Sequence, residues 1–278
     1  MDLDPELAAL RPLGGFFLLR TGGGAPRGDL PTLAHAYERP ATDGRGDDPL
    51  TLRVRKVADG IRAPEARVAA SVAQQALAAR LWSVALGSAA VYGRVPDLGP
   101  RLLRWDPRAG APDDLWLTEV RPRPADAATL AEAVLHGHLA PLAAALRARH
   151  RIAPGLLWGN AASALVGTVR QLGRWAHAHG RPETARRSWD LAARLLAHPL
   201  LAGTGTLTPL TGAGANTDTG TGTDAGTAPR PGKGPRTAAS AVFRRRSCCL
   251  YYRVPGGGVC GDCCFTRAPR SSPRAASG

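Results

Sequence analysis

Apolar positions along the chain recur with two different periods. In "GGFFLLR" (14–20), "LTLRVRKV" (50–57) and "DDLWLTEV" (113–120) they cluster or alternate, the pattern expected of strands. Leu52 and Val54 alternate with Arg53 and Arg55, while Leu115, Leu117 and Glu119 share one face opposite Trp116, Thr118 and Val120. Elsewhere the helical period takes over. Residues 64–90 open on Pro64 and Glu65 and carry Leu77, Leu81 and Val84 at helical spacing. The most apolar long stretch, Val68 to Gly93, is interrupted by Gln74, Gln75 and Arg80, which predicts a buried helix pair rather than a membrane span. "DAATLAEAVLHGHLAPLAAALRARH" (126–150) is helical with a break expected at Pro141. "NAASALVGTVRQLGRWAHAHG" (160–180) aligns Leu165, Val169, Leu172 and Ala176, and its closing His177, His179 and Gly180 suit a helix C-terminus. A last helix runs from Pro182-Glu183 to His198-Pro199. These elements predict an α+β fold, predominantly helical over its N-terminal domain with a minor sheet.

The pattern fails after residue 201, and the failure marks domain boundaries. Residues 1–201 form the globular part. Residues 202–240 are a Gly/Thr/Ala/Pro tract with few apolar side chains, too little to offset ordering entropy, and are expected to be a flexible linker. Residues 241–265 hold all five cysteines, and 266–278 are expected to be a disordered tail.

Charge changes this picture little. The chain carries a formal +14, but from Arg230 onward ten basic residues face one acid, Asp262, so this tail supplies +9 of the total. The first 229 residues are only mildly basic, and a nucleic-acid surface on the main domain is not indicated. The opening "MDLDPELAAL" has acids where a secretory leader needs positive charge, so a soluble cytoplasmic protein is expected. In that compartment thiols stay reduced, and clustered cysteines point to metal or redox chemistry before disulfides.

Most other polar features have plain explanations. His136/His138 and His177/His179 are spaced two apart, so neither pair presents both rings on one helix face. "TGGGAPRGD" and "PGKGPR" lack the spacing of a phosphate loop. No Ser/His/Asp set or carboxylate pair stands out, so no acid–base or nucleophilic catalytic residue is assigned. In "PGLLWGNAAS" (154–163), Asn160 is placed as a helix N-cap, with Trp158 and Asn160 as candidate lining of a ligand site.

The cysteines read C-C-x10-C-x2-C, from Cys248-Cys249 to Cys260 and Cys263, with Cys264 left over. Four thiolates at these spacings can close around a metal centre, with "VPGGG" (254–258) letting the chain fold back. Zinc favours two C-x2–4-C knuckles around one ion, and a vicinal pair is a poor knuckle. A two-iron cluster tolerates it, because its ligands need not converge on one point. Both metals remain open on spacing alone. Arg244, Arg245, Arg246 and Arg253 bracket the first pair, and cations there favour thiolates and the reduced state of an anionic cluster. Arg245, Arg246 and Arg253 are therefore candidate tuning residues, and Tyr251, Tyr252 and Phe265 a candidate apolar cover.

"RRSCCLYYRVPGGGVCGDCC" resembles the C-terminal iron–sulfur segment of the FhuF-like ferric siderophore reductases. The likeness continues upstream in "EARVAASVAQQALAARLWSVALGSAAVYGRVPDL", "LLRWDP", "DDLWL" and "LLWGNAASALVGTVRQL". It implies Cys248, Cys249, Cys260 and Cys263 as ligands of a [2Fe-2S] cluster, with Cys264 outside the set. It further implies one-electron reduction of a ferric siderophore, hydroxamate-type in the first instance, with electrons from a ferredoxin or a flavin reductase. Two alternatives stand beside this: a zinc-stapled, Arg-rich nucleic-acid-binding module, and an iron–sulfur redox sensor.

Overall fold

The computed structural model describes residues 7, 9–21, 30–38, 48–209 and 241–269. Of the expected linker and tail, 210–240 and 270–278 lie outside the described residues.

The short strand β1 (Arg20–Thr21) and helices α1 (Leu33–Tyr37), α2 (Pro49–Ile61) and α3 (Ala66–Tyr92) come first. α3 is the axis of the domain, buried at almost every position from Val68 to Ala90. It is one helix of 27 residues, not the expected pair, and its many alanines let neighbours approach from all sides. At Gly87 an added Cβ would meet the Phe17 ring at 2.7 Å, so that ring packs against bare backbone.

Arg80, which interrupts the apolar run, is 1% exposed and fully used. Its Nε donates to Asp114 Oδ1 at 3.0 Å, Nη1 to the Phe16 carbonyl at 2.6 Å, and Nη2 to the carbonyls of Leu18 and Pro112. This explains why "GGFFLLR" is not a strand: its Phe16 and Leu18 carbonyls are committed to Arg80, and only Arg20 and Thr21 pair, parallel to Trp116 and Leu117.

The segment expected as a strand at 50–57 lies in α2. Asp48 caps it, accepting from the Thr51 N–H at 3.0 Å, and Pro49 occupies the first turn. Leu50 and Val54, four residues apart, form the buried stripe.

Four short strands follow: β2 (Arg94–Pro96), β3 (Leu103–Trp105), β4 (Leu115–Leu117) and β5 (Pro122–Pro124). β1, β4 and β3 make one small sheet, and β2 pairs antiparallel with β5. β4 is buried at all three positions, so it is covered on both faces. Next comes a continuous helical run: α4 (Ala127–Leu130), a wider π turn (Ala131–Leu139) and α5 (Ala140–Arg149). Pro141, the expected break, sits in the first turn of α5. The missing proline donor is accommodated by the i→i+5 stretch before it, whose last bond joins the Ala140 N–H to Leu135 O.

α6 (Pro154–Ala178) packs along α3. Gln74 Nε2 donates to Leu157 O and Trp82 Nε1 to Ala161 O, both at 3.2 Å, while the Ser83 and Thr168 hydroxyls pair at 3.3 Å. Partners rise together in sequence, so the two helices run parallel, joined by the small sheets and α4–α5. α7 (Pro182–Leu196) turns back, burying Ser188, Leu191, Ala192 and Leu195. Within the stretch expected as linker, Gly205–Pro209 is a strand, β6. It pairs antiparallel with β7 (Ala241–Arg245), Gly205 opposite Arg245 and Pro209 opposite Ala241.

His138 is buried between the Leu98 carbonyl, 2.5 Å from Nε2, and the Tyr37 hydroxyl, 2.8 Å from Nδ1. Burial lowers its pKa to about 4. His136 stacks edge-on against His198, and His179 stacks on Trp175, so His136, His138 and His179 each have a packing partner.

Candidate metal centre

The cysteine segment begins at β7 and folds onto the N-terminal half of α6. Ser247 Oγ donates to the Gly155 carbonyl at 2.8 Å, and the Arg246 N–H to Thr204 O at 2.8 Å. At Gly159 a Cβ would collide with Ser247 Oγ and lie 3.3 Å from the Arg245 guanidinium. Only a residue without a side chain admits this approach. After the vicinal pair, Leu250 adopts a left-handed φ of 68° and the chain passes into a short 3-10 turn, Tyr251–Arg253. Gly257 then lies so close to the Tyr251 carbonyl, with Val254 O at 2.9 Å from a built Cβ, that the reversal requires glycine. The Cys263 N–H closes the C-x2-C turn on Cys260 O at 2.9 Å.

This path brings the sulfurs into two groups. Cys248, Cys263 and Cys264 have Sγ atoms within 4.8 Å of one another, and Cys249 Sγ stands 3.7 Å from Cys260 Sγ. Cys249 and Cys263 are buried, the other three partly so. Backbone N–H groups reach two of the sulfurs, Leu250 N to Cys248 at 3.2 Å and Phe265 N to Cys263 at 3.4 Å. Cys260 shares a proton with Cys249, which raises the Cys260 pKa and lowers that of Cys249; the positive Arg245 also favours the Cys249 thiolate. Burial pushes Cys248 up, helped by the sulfurs beside it, and burial likewise raises Cys264. Metal binding therefore displaces protons from this cluster.

The donor set fits a two-iron cluster. It consists of sulfur alone, which disfavours hard cations. Two thiolates on one tetrahedral metal, each about 2.3 Å from it, stand about 3.8 Å apart, which matches the Cys249–Cys260 separation. The second group, Cys248, Cys263 and Cys264, offers three sulfurs where a second iron needs two.

The centre is tied to the helical domain by side chains that spacing did not reveal. Asp262, inside the C-x2-C turn, accepts from Ser163 Oγ at 2.5 Å and from Arg170 Nη1 at 2.7 Å, both on α6. Its own carbonyl takes the Arg245 N–H at 2.9 Å. Being the single acid of a basic tail, Asp262 was the available signal. A second path runs from Arg245 Nη2 to Asn160 Oδ1, from Asn160 Nδ2 to the Ser71 carbonyl at 3.0 Å, and from Ser71 Oγ to Cys249 O at 2.8 Å.

Asn160 is therefore not an N-cap. α6 starts six residues earlier at Pro154, and Asn160 sits wholly buried in its second turn, facing α3. Both ends of its amide are occupied. Trp158 is half-buried and packs against the core. Neither residue lines the groove beside the centre, which is bounded by Phe16, Gln75, Arg170, Gln171, Cys260 and Gly261 among others. Of the candidate tuning arginines, Arg245 is buried, Arg246 is exposed like its neighbour Arg244, and Arg253 pairs with Glu65 at the start of α3. Tyr252 and Phe265 meet edge to face at 5.9 Å, while Tyr251 is 40% exposed and turned outward.

A helical platform carrying a sulfur-lined centre is the architecture of an iron–sulfur protein. Residues 74–216 match the family described as ferric iron reductase FhuF-like transporter, and residues 245–265 match the FhuF 2Fe-2S C-terminal domain. The first match alone covers just over half of the chain, so the chain belongs to this family, and its cofactor is a [2Fe-2S] cluster. A comparison with curated proteins finds no match. Among the described residues no helix is long and apolar enough to cross a membrane.

Proposed function

We propose that the protein is a cytoplasmic ferric siderophore reductase, releasing iron by one-electron reduction of the bound Fe(III) to Fe(II). Cys248, Cys249, Cys260 and Cys263 would hold the [2Fe-2S] cluster, with Cys264 outside the set. When bound, the cluster supplies a one-electron carrier, refilled by an external donor of the ferredoxin or flavin-reductase class. The observation that carries this reading is the groove of about 440 Å³ between α3 and α6, one wall of which is Cys260 and Gly261. It gives a chelate a place to lie directly against a cysteine of the centre.

The chain's residues then have simple tasks. Gln75 and the Arg170 N–H groups not taken by Asp262 offer hydrogen-bond donors to chelate oxygens, and half-exposed Phe16 offers an apolar surface to the siderophore backbone. No side chain need transfer a proton for the electron step. Hard hydroxamate oxygens hold Fe(III) tightly and Fe(II) weakly, so the added electron itself loosens the iron, and the product leaves as Fe(II) and free chelator.

The test is an anaerobic assay of the reconstituted full chain with a ferric hydroxamate, a chemical reductant too slow to act alone, and a ferrous-specific chromogenic trap. Many turnovers per protein support the reductase. A single stoichiometric electron supports the redox-sensor reading, and a colourless protein containing zinc overturns both.

A further inference from the structure

Arg245 is the least accounted-for charge in the described structure. It is 2% exposed, and its two acceptors, Asn160 Oδ1 and the Leu156 carbonyl, are both neutral. Its Nε and Nη1 are buried with no hydrogen-bond partner, and no carboxylate pairs with it among the described residues. A buried guanidinium with neither a counter-charge nor acceptors for two donors is unstable in a protein interior, unless something outside the polypeptide completes it. Its position says what that is. Arg245 lies three residues before Cys248, its backbone N–H is fixed to the Asp262 carbonyl within the C-x2-C turn, and its guanidinium joins the Asn160–Ser71 chain that ends on the Cys249 carbonyl.

We infer that Arg245 is the counter-ion of the cluster, a positioning residue whose unpaired N–H donors and charge are kept for the anionic iron–sulfur centre. The other arginines of the segment do not share the role: Arg244 and Arg246 face solvent, and Arg253 is neutralised by Glu65. Gly159 clears the space for the guanidinium, and the Asn160 carboxamide orients it through a neutral oxygen. A carboxylate at 160 would accept the same hydrogen bond but cancel the charge. A four-thiolate cluster gains one negative charge on reduction, so a fixed cation beside it favours the reduced state and raises the potential. Arg245 thus sets which donors can fill the centre and how completely a ferric chelate can empty it.

The inference rests on the [2Fe-2S] centre and not on the siderophore reading. Its test is an equilibrium redox titration of the reconstituted full-length protein, followed by visible absorption and by the paramagnetic signal of the reduced state. Arg245→Gln should move the midpoint potential to more negative values by at least a tenfold change in the one-electron equilibrium, about 59 mV. Arg245→Lys should restore most of the shift, and Arg246→Gln should leave the potential at the native value. Asn160→Asp keeps Arg245 but neutralises it, and should lower the potential in the same direction, which covers the case where Arg245→Gln fails to retain iron. A native potential in Asn160→Asp, or an equal shift in Arg246→Gln, overturns the assignment. Failure of siderophore turnover with the potential shifts intact would remove the proposed substrate and leave Arg245's role standing.

Discussion

Arg80 and Arg245 are both arginines sealed inside the protein, and they differ in what surrounds them. Arg80 has a carboxylate, Asp114, and three backbone carbonyls, so the polypeptide alone completes it. Arg245 has two neutral acceptors and two idle donor nitrogens, at the head of the segment that holds the five cysteines. The helical domain is finished by its own side chains at this point, whereas the cysteine segment is finished only by a non-protein anion. Disrupting the first should therefore cost stability, and disrupting the second should cost the metal.

The largest effect separating the two regions is expected from Cys249→Ser. Cys249 is a buried member of the 3.7 Å sulfur pair, so iron and sulfide content should fall to near background while far-UV circular dichroism keeps its helical signal. Native iron content in this variant would contradict its role as a ligand. Next is Asp114→Asn, which leaves Arg80 buried without a counter-charge. A loss of about 3–5 kcal/mol is expected in denaturant unfolding, with iron per folded molecule unchanged. If iron were lost in proportion, the two regions would not be separable. Gly159→Val should act at their seam, pressing a side chain into Ser247 and Arg245. It should destabilise by about 1–3 kcal/mol and weaken iron retention together, read by thermal melts of the loaded and metal-free forms. The smallest effect belongs to Cys264→Ser. Retained cluster absorbance would agree with the four-cysteine set, and loss would make Cys264 a ligand in place of one of its neighbours.

The two regions were also unequally legible in the sequence. The centre announced itself because its chemistry resides in residue type and spacing: only cysteine supplies thiolate, and five cysteines within 248–264 point to one place. The helices announced themselves by length and period, and the α6 C-terminus by its histidines and glycine. Short elements did not. At 50–57 the alternation of Leu52 and Val54 suggested a strand, while the stronger signals, a capping Asp48 and a first-turn Pro49, stood just outside the window. Asn160 resembled an N-cap because asparagine favours that position, but Pro154 had already opened the helix. Apart from Asp262, the ties between regions were illegible. Ser71, Asn160 and Arg245 come from three distant elements, and no local pattern marks residues that meet only after the fold has formed.

The pairing of β6 with β7 has a consequence for how much this chain can vary. Pro209 and Ala241 face each other in one ladder, so the chain leaves β6 and enters β7 at neighbouring positions. That ladder holds the start of the cysteine segment beside the end of the helical domain. A shortened connector, or a fluorophore-bearing domain spliced into it, should leave the colour of the loaded protein unaltered, making this the natural place to attach a reporter.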